Sequence, residues 1–432
     1  MHDINLSLQK TPVLKQSGFT ESQAFLESRR CLACPGRYCA ASCPIHTPVT
    51  EFIAKIREKD YDGALCLIKE NNCMPQVTCR VCAQERQCEK NCTRGIKGEP
   101  VAIGALERFA VENGVSQKPI SLEQSKGRVA ILGSGPAGLS CAYSLTIKGY
   151  KVDIFEARDY PGGVLAWGIP DFILPKESLD SFLSELDDLG VTIHCGKKIS
   201  GDQNLHNLFS QGFSAIFVAT GSGTEKRLDL PGAESVFTSS EFLETANINP
   251  GILQGKFKSI AVIGGGDTAV DAARAALRIG AEKVTLIYRR SRLEMGASRK
   301  EIEMAEEEGV DFKFLALPQR ILPEGVKCAA MRLTEASFPG GRRNTEAILG
   351  EDFVVEAEAV VSALGFAPSE FEGLDVDAKG YLKVGKRFET RIKGVFAGGD
   401  AAGSAKSIAA ALQSGKLAAD CIIDLLKRLS TE

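Results

Sequence analysis

The chain has little histidine and no long apolar run. Of its 432 residues four are histidine and one is tryptophan, and it contains neither an HExxH metal motif nor a nucleophile elbow. The first residues, MHDINLSLQKTPVLKQSG, lack the apolar segment of a secretion signal, and no stretch is long enough to cross a bilayer. These absences argue against zinc-protease and serine-hydrolase chemistry, and they predict a cytoplasmic protein with no membrane partner.

Charge of one sign is also scarce. The formal net charge is -3, and residues 1–115 hold 15 lysines and arginines against 13 acidic residues. No basic, aromatic-rich stripe stands out, so no nucleic-acid partner is expected. The apolar content of 44% is that of a globular protein, and the length predicts two or three domains.

Cysteine, in contrast, is abundant and concentrated. Ten of the 14 cysteines lie between Cys31 and Cys92. Because no secretion signal precedes them, a dense run of this kind indicates metal binding rather than disulfide bonds.

The remainder of the chain alternates strands and helices from Arg128 onward, which predicts mostly parallel sheets. Two Gly-rich strand–turn–helix units, at 129–140 and 260–275, indicate two dinucleotide-binding folds. The string GVFAGGDAAG and a long helix from about Ala405 suggest a return to the first of them. The predicted fold class is α/β, with two Rossmann-like domains of the glutathione-reductase type after an α-helical domain. The predicted domains are 1–115 (helical), 128–235 with 361–432 (first dinucleotide fold) and 236–360 (second), with a polar connector at 111–127.

The first Gly-rich unit has GxGxxG spacing after an apolar strand, so pyrophosphate can sit on the N-terminus of the following helix. The next strand, KVDIFE, ends in Glu156, whose carboxylate can accept ribose hydroxyls. Asp400 follows a strand and a double glycine, where it can bond a ribityl chain. We therefore predict an FAD site. Its expected residues are Gly133, Ser134, Gly135, Pro136, Ala137, Gly138, Glu156, Gly162, Gly163, Gly399, Asp400 and Ser407.

The second unit has the same spacing, but its second strand, KVTLIYRR, ends in two arginines instead of an acid. Arginines can pair with the 2′-phosphate of NADPH, whereas an acid favours the free hydroxyl of NADH. A solvated basic tip is the alternative. The predicted NADPH site contains Gly264, Gly265, Gly266, Asp267, Thr268, Arg289 and Arg290, with Gly365 as a further cofactor-binding residue.

The cysteine run falls into two groups. The first, Cys31-x2-Cys34-x4-Cys39-x3-Cys43-Pro44, has the closely spaced thiolates and following proline of a bacterial ferredoxin motif. The second is Cys82-x5-Cys88-x3-Cys92, with Cys79 just before it. Zinc is the rival ligand. Iron–sulfur clusters are favoured because a flavin that takes two electrons from NADPH can release them singly to a cluster. No CxxC or CxxxxC pair follows Cys92, which argues against disulfide-reductase chemistry.

These strings together resemble one family over essentially the whole chain, that of the small (β) subunit of NADPH-dependent glutamate synthase. They are similarly close to the N-terminal half of dihydropyrimidine dehydrogenase and to the large subunit of NADH-dependent ferredoxin:NADP oxidoreductase. The resemblance is carried by CLACPGRYCAASCP, VTCRVCAQERQCEKNC, IGALERFA, LGSGPAGL, GGVLAWGIPDFILPK, IGGGDTAVDAARAALRIGA, YRRSRLEMGAS and FAGGDAA.

The resemblance implies two [4Fe–4S] clusters with interleaved ligands. One cluster would take Cys31, Cys34, Cys39 and Cys92, and the other Cys43, Cys82, Cys88 and Glu107. The alternative for Glu107 is a surface charge on a helix. The chain departs from the family at Cys79, where relatives commonly have glycine, at Ile173, where arginine is usual, and at Trp167, where a smaller aromatic is common.

The expected function is that of an electron-input subunit. It would oxidise NADPH at FAD and pass single electrons through the two clusters to a larger catalytic subunit or a ferredoxin-like acceptor, within a hetero-oligomer. No acid–base side chain is required for hydride transfer, so no catalytic residue is nominated. The alternatives are a module for pyrimidine or other reductases or for ferredoxin-linked electron bifurcation, a zinc-binding redox-sensing interaction protein, and a free-standing diaphorase.

Overall fold

The computed structural model describes residues 18–116, 126–336, 341–368, 371–405 and 407–430. They divide into a larger unit, Gly18–Thr224 with Phe366–Glu432, and a smaller unit, Glu225–Gly365. The larger unit takes in both the cysteine-rich helices and the first dinucleotide fold. Residues 1–17 and 117–125, which include much of the predicted connector, lie outside the described residues. Across the described ranges, no helix combines the length and the apolar character needed to span a bilayer.

The larger unit opens with short helices that follow from local sequence signals. Thr20 and Gln23 form a capping box at the first helix, Asp60 caps the fourth by accepting from Gly63, and Pro75 occupies the first position of the fifth. The helices are α1 (Glu21–Ser28), α2 (Tyr38–Ala41), α3 (Val49–Arg57), α4 (Tyr61–Lys69), α5 (Pro75–Val81) and α6 (Ile103–Asn113). Their apolar faces meet in a buried core that includes Phe52 and Phe109.

A parallel sheet with flanking helices follows. Its elements are β1 (Arg128–Leu132), α7 (Pro136–Thr146), β2 (Lys151–Phe155), α8 (Val164–Trp167), α9 (Lys176–Asp188), β3 (Thr192–His194), α10 (Asp202–Ser210) and β4 (Ala215–Val218). Strand β1 is buried from Val129 to Leu132 and pairs in parallel with β2 on one side and β4 on the other. The carboxyl end of such a central strand is the position where open α/β sheets bind ligands.

The smaller unit repeats this plan. Its elements are β5 (Phe237–Thr238), α11 (Ser239–Ile248), β6 (Ser259–Ile263), α12 (Asp267–Arg278), β7 (Lys283–Tyr288), α13 (Arg299–Glu307), β8 (Asp311–Phe314), β9 (Ala316–Leu322), β10 (Gly325–Ala336), β11 (Arg343–Glu356) and β12 (Ala359–Ser362). A parallel sheet has the order β5-β12-β6-β7-β8, and a separate antiparallel sheet has the order β11-β10-β9. The sequence analysis missed this antiparallel sheet.

The chain then returns to the larger unit. Strand β13 (Val395–Ala397) pairs with β4 and completes the order β13-β4-β1-β2-β3, and α14 (Ile408–Leu429) follows. Helix α14 packs so closely on α7 that a Cβ at Gly415 would lie 2.0 Å from the carbonyl oxygen of Ala137. The predicted fold class, two Rossmann-like folds after a helical domain, is confirmed.

The cysteine-rich helices share a core with the first dinucleotide fold. Ile45, Met74 and Val77 belong to the apolar cluster formed by α7, α9 and α14. At the edge of this contact, Lys416 Nζ donates to Asn71 Oδ1 over 3.0 Å. The helical segment is therefore packed directly onto the fold that carries the first Gly-rich loop.

A buried ion-pair network joins α12 to the end of α13 in the smaller unit. Arg274 and Arg278 each donate two hydrogen bonds to the carboxylate of Glu308, with distances of 2.8 and 2.9 Å for each arginine. The side chains of Arg274 and Glu308 are only 3% and 2% exposed. Burial raises the pKa of Glu308, but the hydrogen bonds from both arginines outweigh it and bring the pKa to about 2.

We expect Glu308→Gln to destabilise the smaller unit by about 1.5–3 kcal/mol near neutral pH, because Arg274 and Arg278 lose the charged carboxylate that they share, although Arg274 keeps its ion pair with Glu301. The folded-state pKa of Glu308 is depressed, so its contribution is complete above about pH 4.5 and is lost as pH falls toward 2. Hydrogen exchange of peptides spanning 267–308, measured from pH 7 down to pH 3, reports the effect. The exposed neighbour Glu307 supplies the matched control, Glu307→Gln; equal exchange in the two variants would contradict the prediction.

Candidate functional site

The first Gly-rich loop joins β1 to α7 and is closed by its own side chains. Ser134 is fully buried, and its backbone N–H and Oγ both donate to Glu156 Oε2, at 2.9 and 2.5 Å. Gly133 has a φ of +104°, a conformation that glycine adopts without strain. The amide of Gly162 donates to Ser134 Oγ over 2.9 Å. These bonds hold the loop, the end of β2 and the 162–163 turn together at the carboxyl edge of the sheet.

Free space borders this loop at Gly135 but not at Gly138. A Cβ at Gly135 would meet no protein atom within 4 Å, whereas one at Gly138 would lie 2.0 Å from the carbonyl oxygen of Gly133. Gly163 also approaches, since its Cβ would lie 2.7 Å from the Cα of Gly135. The amides at the start of α7, which begins with Pro136 and Ala137, therefore border free space of the kind that an anionic pyrophosphate occupies.

Asp400 and its neighbours lie on the segment between β13 and α14. Ser222 Oγ donates to Asp400 Oδ2 over 2.7 Å, and Gly399 N donates to Ser414 Oγ over 2.8 Å. Burial raises the pKa of Asp400, opposed by the bond from Ser222. Ser407 caps α14 by accepting from Ala410 N, so part of its predicted role is structural. Asp400 Oδ1 accepts no hydrogen bond from the described residues, and its contact with the ribityl chain stays a prediction.

The second Gly-rich loop, Gly264 to Gly266, joins β6 to α12. The carbonyl oxygen of Gly265 accepts from the amides of Gly296 and Ala297, at 2.7 and 3.1 Å. A Cβ at Gly266 would meet no atom within 4 Å, so the loop is open there as at Gly135. The structure thus brings a second open, glycine-lined helix start to the carboxyl edge of the second sheet.

Two residues predicted to bind cofactor, Asp267 and Gly365, also make hydrogen bonds within the protein. Asp267 Oδ1 accepts from the amide of Ser298 over 2.7 Å, while Thr268 follows it in the first turn of α12. Gly365 lies at the boundary of the smaller unit, where its carbonyl oxygen accepts from the amide of Lys226. The bonds of Asp267 and Gly365 shape the loop and the boundary, and the predicted ligand contacts of Asp267, Thr268 and Gly365 stay predictions.

Arginines gather beyond the end of β7. Arg289 is exposed, and Arg290 donates through Nε to the carbonyl oxygen of Arg343 over 2.8 Å. Arg342 lies beside Gly296, whose amide bonds to Gly265 of the second loop, since its Nη2 is 3.0 Å from the position of a Cβ at Gly296. Sequence reasoning missed Arg342 and Arg343. The adjacent pair in GGRRN is visible in the sequence, but only the fold brings Arg343, at the start of β11, into contact with Arg290, which follows β7.

The first cysteine set comes together around one cavity. Cys31, Cys34, Cys39 and Cys92 line it with Ile53 and Val101. Burial raises the pKa of the Cys31 thiol, and the charges of Cys34 and Cys92 raise it further. Burial likewise raises the pKa of the Cys39 thiol, to which the charges of Cys31 and Cys92 add. Cys34 Sγ lies 3.3 Å from Thr93 Oγ1, and the amide of Val101 donates to Cys92 Sγ over 3.5 Å.

The second set is more deeply buried and includes a carboxylate. Burial raises the pKa of Cys82, and the charges of Glu107, Cys43 and Cys88 raise it further. Glu107 is 8% exposed, which excludes the alternative that it is a surface charge. Burial raises the pKa of Glu107 to about 7, despite hydrogen bonds from Thr78 and Asn72. Each side chain of the two sets implied by the resemblance is therefore placed beside members of its own set.

The donor chemistry of both sets fits an iron–sulfur cluster. Each iron of a [4Fe–4S] cluster takes one protein ligand, so the four ligands surround a volume rather than converge on one point. Four thiols around a shared cavity have this arrangement. Within the described ranges, no three His, Cys, Asp or Glu side chains lie close enough to hold a single metal ion.

The family is decided by comparison with known proteins. Residues 127–415 match the family model described as pyridine nucleotide-disulphide oxidoreductase. The chain belongs to this family. Residues 10–119 match a second model, described as dihydropyrimidine dehydrogenase domain II, 4Fe-4S cluster. This pyridine nucleotide-disulphide oxidoreductase is therefore an NAD(P)H-dependent FAD enzyme with an iron–sulfur domain, as the sequence predicted.

Individual relatives agree with the assignment. The chain is 34% identical to the glutamate synthase [NADPH] small chain of Escherichia coli, over 95% of this chain and 93% of the relative. It is 35% identical to the NADP(+)-dependent formate dehydrogenase subunit beta of Moorella thermoacetica, over 91% of this chain but only 60% of that subunit's length. The FprA structure from Mycobacterium tuberculosis in complex with NADPH has a TM-score of 0.59 at 18% identity, covering 71% of this chain and 86% of FprA. The predicted relationship to glutamate synthase small subunits is confirmed.

Proposed function

We propose that this chain is the electron-input subunit of a glutamate synthase-type complex, which oxidises NADPH at FAD and delivers single electrons through two [4Fe–4S] clusters to a larger catalytic subunit. FAD, when bound, would supply the change from two-electron hydride chemistry to one-electron transfer. The observation that carries the proposal is the placement of two separate ligand sets on helices that share a core with the FAD fold.

The two sets differ in their position relative to that core. Cys43, of the second set, packs against the apolar cluster that contains α7 and α14, and so does Val81 beside Cys82. Members of the first set, Cys31 and Cys39, pack against the core of the helices, to which Cys88 of the second set also belongs. The second set therefore reaches the FAD fold through Cys43, and we propose that the first set passes electrons outward.

The exit side is marked by exposed apolar side chains. Leu32 and Tyr38 flank the cavity of the first set and are 55% and 60% exposed. Large apolar side chains exposed beside a redox centre are typical of a surface that another subunit covers. The relatives in glutamate synthase and formate dehydrogenase are themselves subunits, and we propose that the larger catalytic subunit docks here.

The protein residues have binding and positioning tasks. The amides at the two glycine loops would hold the pyrophosphates of FAD and NADPH, and Asp400 would bind the ribityl chain of FAD. Arg289 and Arg290 would pair with the 2′-phosphate. The cysteine sets would set the cluster potentials through ligand identity and burial.

Anoxic purification tests this function directly. NADPH added to the isolated chain should bleach the flavin bands and generate iron–sulfur EPR signals, and the chain isolated from its native host should retain a companion polypeptide of the glutamate synthase large-subunit type. Tyr38→Asp should lose that companion while keeping its iron. A preparation without iron or acid-labile sulfide would refute the proposal, and a companion of another type would reassign the complex.

The arginine cluster sets the expected cofactor preference. Arg289→Ala should raise the KM for NADPH by roughly 10- to 100-fold, the effect of losing a charge-assisted bond of about 1.5–3 kcal/mol. The KM for NADH should not change, because NADH lacks the phosphate. Steady-state reduction of ferricyanide with each nucleotide measures both values. Arg320→Ala, at an exposed arginine of β9, is the control, and parallel changes for NADPH and NADH would assign Arg289 another role.

A further inference from the structure

The second ligand set holds one potential ligand more than a cluster needs. Besides Cys43, Cys82, Cys88 and Glu107, the thiol of Cys79 lies in the same buried region and is 6% exposed. The charge of Glu107 acts on Cys79, and that of Cys79 acts on Cys82. The Cys79 thiol makes no hydrogen bond with any residue that the structure describes, so no such bond fixes its position.

Helix geometry explains this proximity. Cys79 is in the last turn of α5 and Cys82 follows as its C-terminal cap, with the Cys82 amide bonded to the carbonyl oxygen of Thr78. Residues three apart in a helix lie on the same face. Helix α6, which carries Glu107, packs against α5. Cys79 is therefore presented toward the same partners as Cys82.

Glu107 is held in place by a short network. Asn72 Nδ2 donates to Thr78 Oγ1 over 2.6 Å, and Thr78 Oγ1 donates to Glu107 Oε1 over 3.0 Å. Asn72 Nδ2 also lies 3.3 Å from the same oxygen. Both donors are 1% exposed. Glu107 Oε2 accepts no bond from the described residues, so it is the oxygen available to iron.

We propose that Cys79 is a reserve ligand of the cluster at the second set, kept out of the cluster while Asn72 and Thr78 hold Glu107 on its iron. The inference rests on the proposed function, because it requires a [4Fe–4S] cluster at this set. When Glu107 is released or absent, the thiolate of Cys79 takes its position, and the cluster is retained with a changed potential.

The exchange is balanced without an external reactant. The exchange would break the iron–oxygen bond to Glu107 and form an iron–sulfur bond to Cys79. The thiol proton would go to the released carboxylate, or to water in the variant that lacks Glu107. No electron is gained or lost. A thiolate donates more charge to iron than a carboxylate does, so the exchanged cluster has a lower reduction potential.

Four preparations of the whole chain, made without oxygen, test the proposal: the natural sequence, Glu107→Ala, Cys79→Ala and the double variant. Iron content, EPR spectrum and reduction potential are measured, and bound FAD reports folding. We expect Glu107→Ala to keep its iron with one altered EPR signal and a lowered potential, and Cys79→Ala to match the natural sequence. The double variant should lose roughly half of its iron, the share of one of two equal clusters. Cys66→Ala, at an exposed cysteine, controls for the loss of any thiol.

Two results overturn the inference: iron loss in Glu107→Ala equal to that in the double variant, or iron retention in both. A natural sequence without iron overturns the proposed function as well, and this is seen before any variant is compared. Thr78→Val provides a second route that leaves Glu107 present. The Thr78→Val variant should show part of the altered EPR signal seen in Glu107→Ala. The double variant Thr78→Val with Cys79→Ala should not show it. If both variants gave the same altered EPR signal, Cys79 would not be a ligand at this site.

Discussion

Replacing Cys39 by serine is expected to remove one cluster and to lower electron delivery to the companion subunit by more than about 100-fold. The rate of NADPH-dependent ferricyanide reduction should stay within about twofold, because this small-molecule acceptor takes electrons from the flavin directly. Cys39 lies at the start of α2 and lines the cavity of the first set with Cys31 and Cys92. Serine keeps the size of the side chain but not the thiolate that ligates iron. The uncoupling follows from the proposal that this set passes electrons from the FAD fold to the companion subunit.

Iron content and EPR intensity show the cluster loss, and paired assays with ferricyanide and with the companion subunit show the uncoupling. Cys66→Ser, at an exposed cysteine of α4, should behave as the natural sequence in all of them. If Cys39→Ser kept both its iron and its delivery to the companion, the first set would not lie on the electron path.

The second large effect is expected at the first glycine loop, where two neighbouring positions should fail for different reasons. Gly135→Ala adds a methyl group that meets no protein atom within 4 Å, on a backbone φ of −70° that alanine adopts freely. The apoprotein should therefore be as stable as before. The methyl group fills the space through which the pyrophosphate approaches, so FAD affinity should fall on the order of 100-fold, the result of losing about 3 kcal/mol.

Gly138→Ala is the matched comparison. Its Cβ would lie 2.0 Å from the carbonyl oxygen of Gly133, so the loop and α7 must separate and the apoprotein itself should lose stability. FAD titrations and thermal midpoints of the two apoproteins distinguish the cases. Equal destabilisation by both substitutions, or full FAD occupancy in Gly135→Ala, would disprove the account of the loop.

Local sequence signals were sufficient for much of the fold. The glycine spacing at Gly133 and Gly264, each after an apolar strand, located both helix starts, because tight turns and close backbone approach require glycine there. The antiparallel strands β9 to β11 were not predicted, because they lack the apolar runs of the parallel strands. In β11, for example, all residues but one are exposed or half-buried. The start of α14 at Ile408 rather than near Ala405 depends on the cap formed by Ser407.

The candidate site divides in the same way. The spacing of the cysteines and its resemblance to a known family suggested both ligand sets, and the structure places their members side by side. Neither the burial of Glu107 nor its bonds to Asn72 and Thr78 was foreseen. Those residues are 35 and 29 positions away from Glu107 in the chain, and no local pattern links them.

By itself, the sequence determined the family, the two dinucleotide folds and the residue types able to hold FAD, NADPH and iron, because these depend on short motifs whose spacing expresses local backbone geometry. Only the tertiary structure decided which groups share an environment: Cys79 with Glu107, Arg342 beside Gly296, and Cys43 against the core of the FAD fold. Burial and electrostatic contact arise from segments that are distant in the chain, and they come into existence only when helices and sheets pack together.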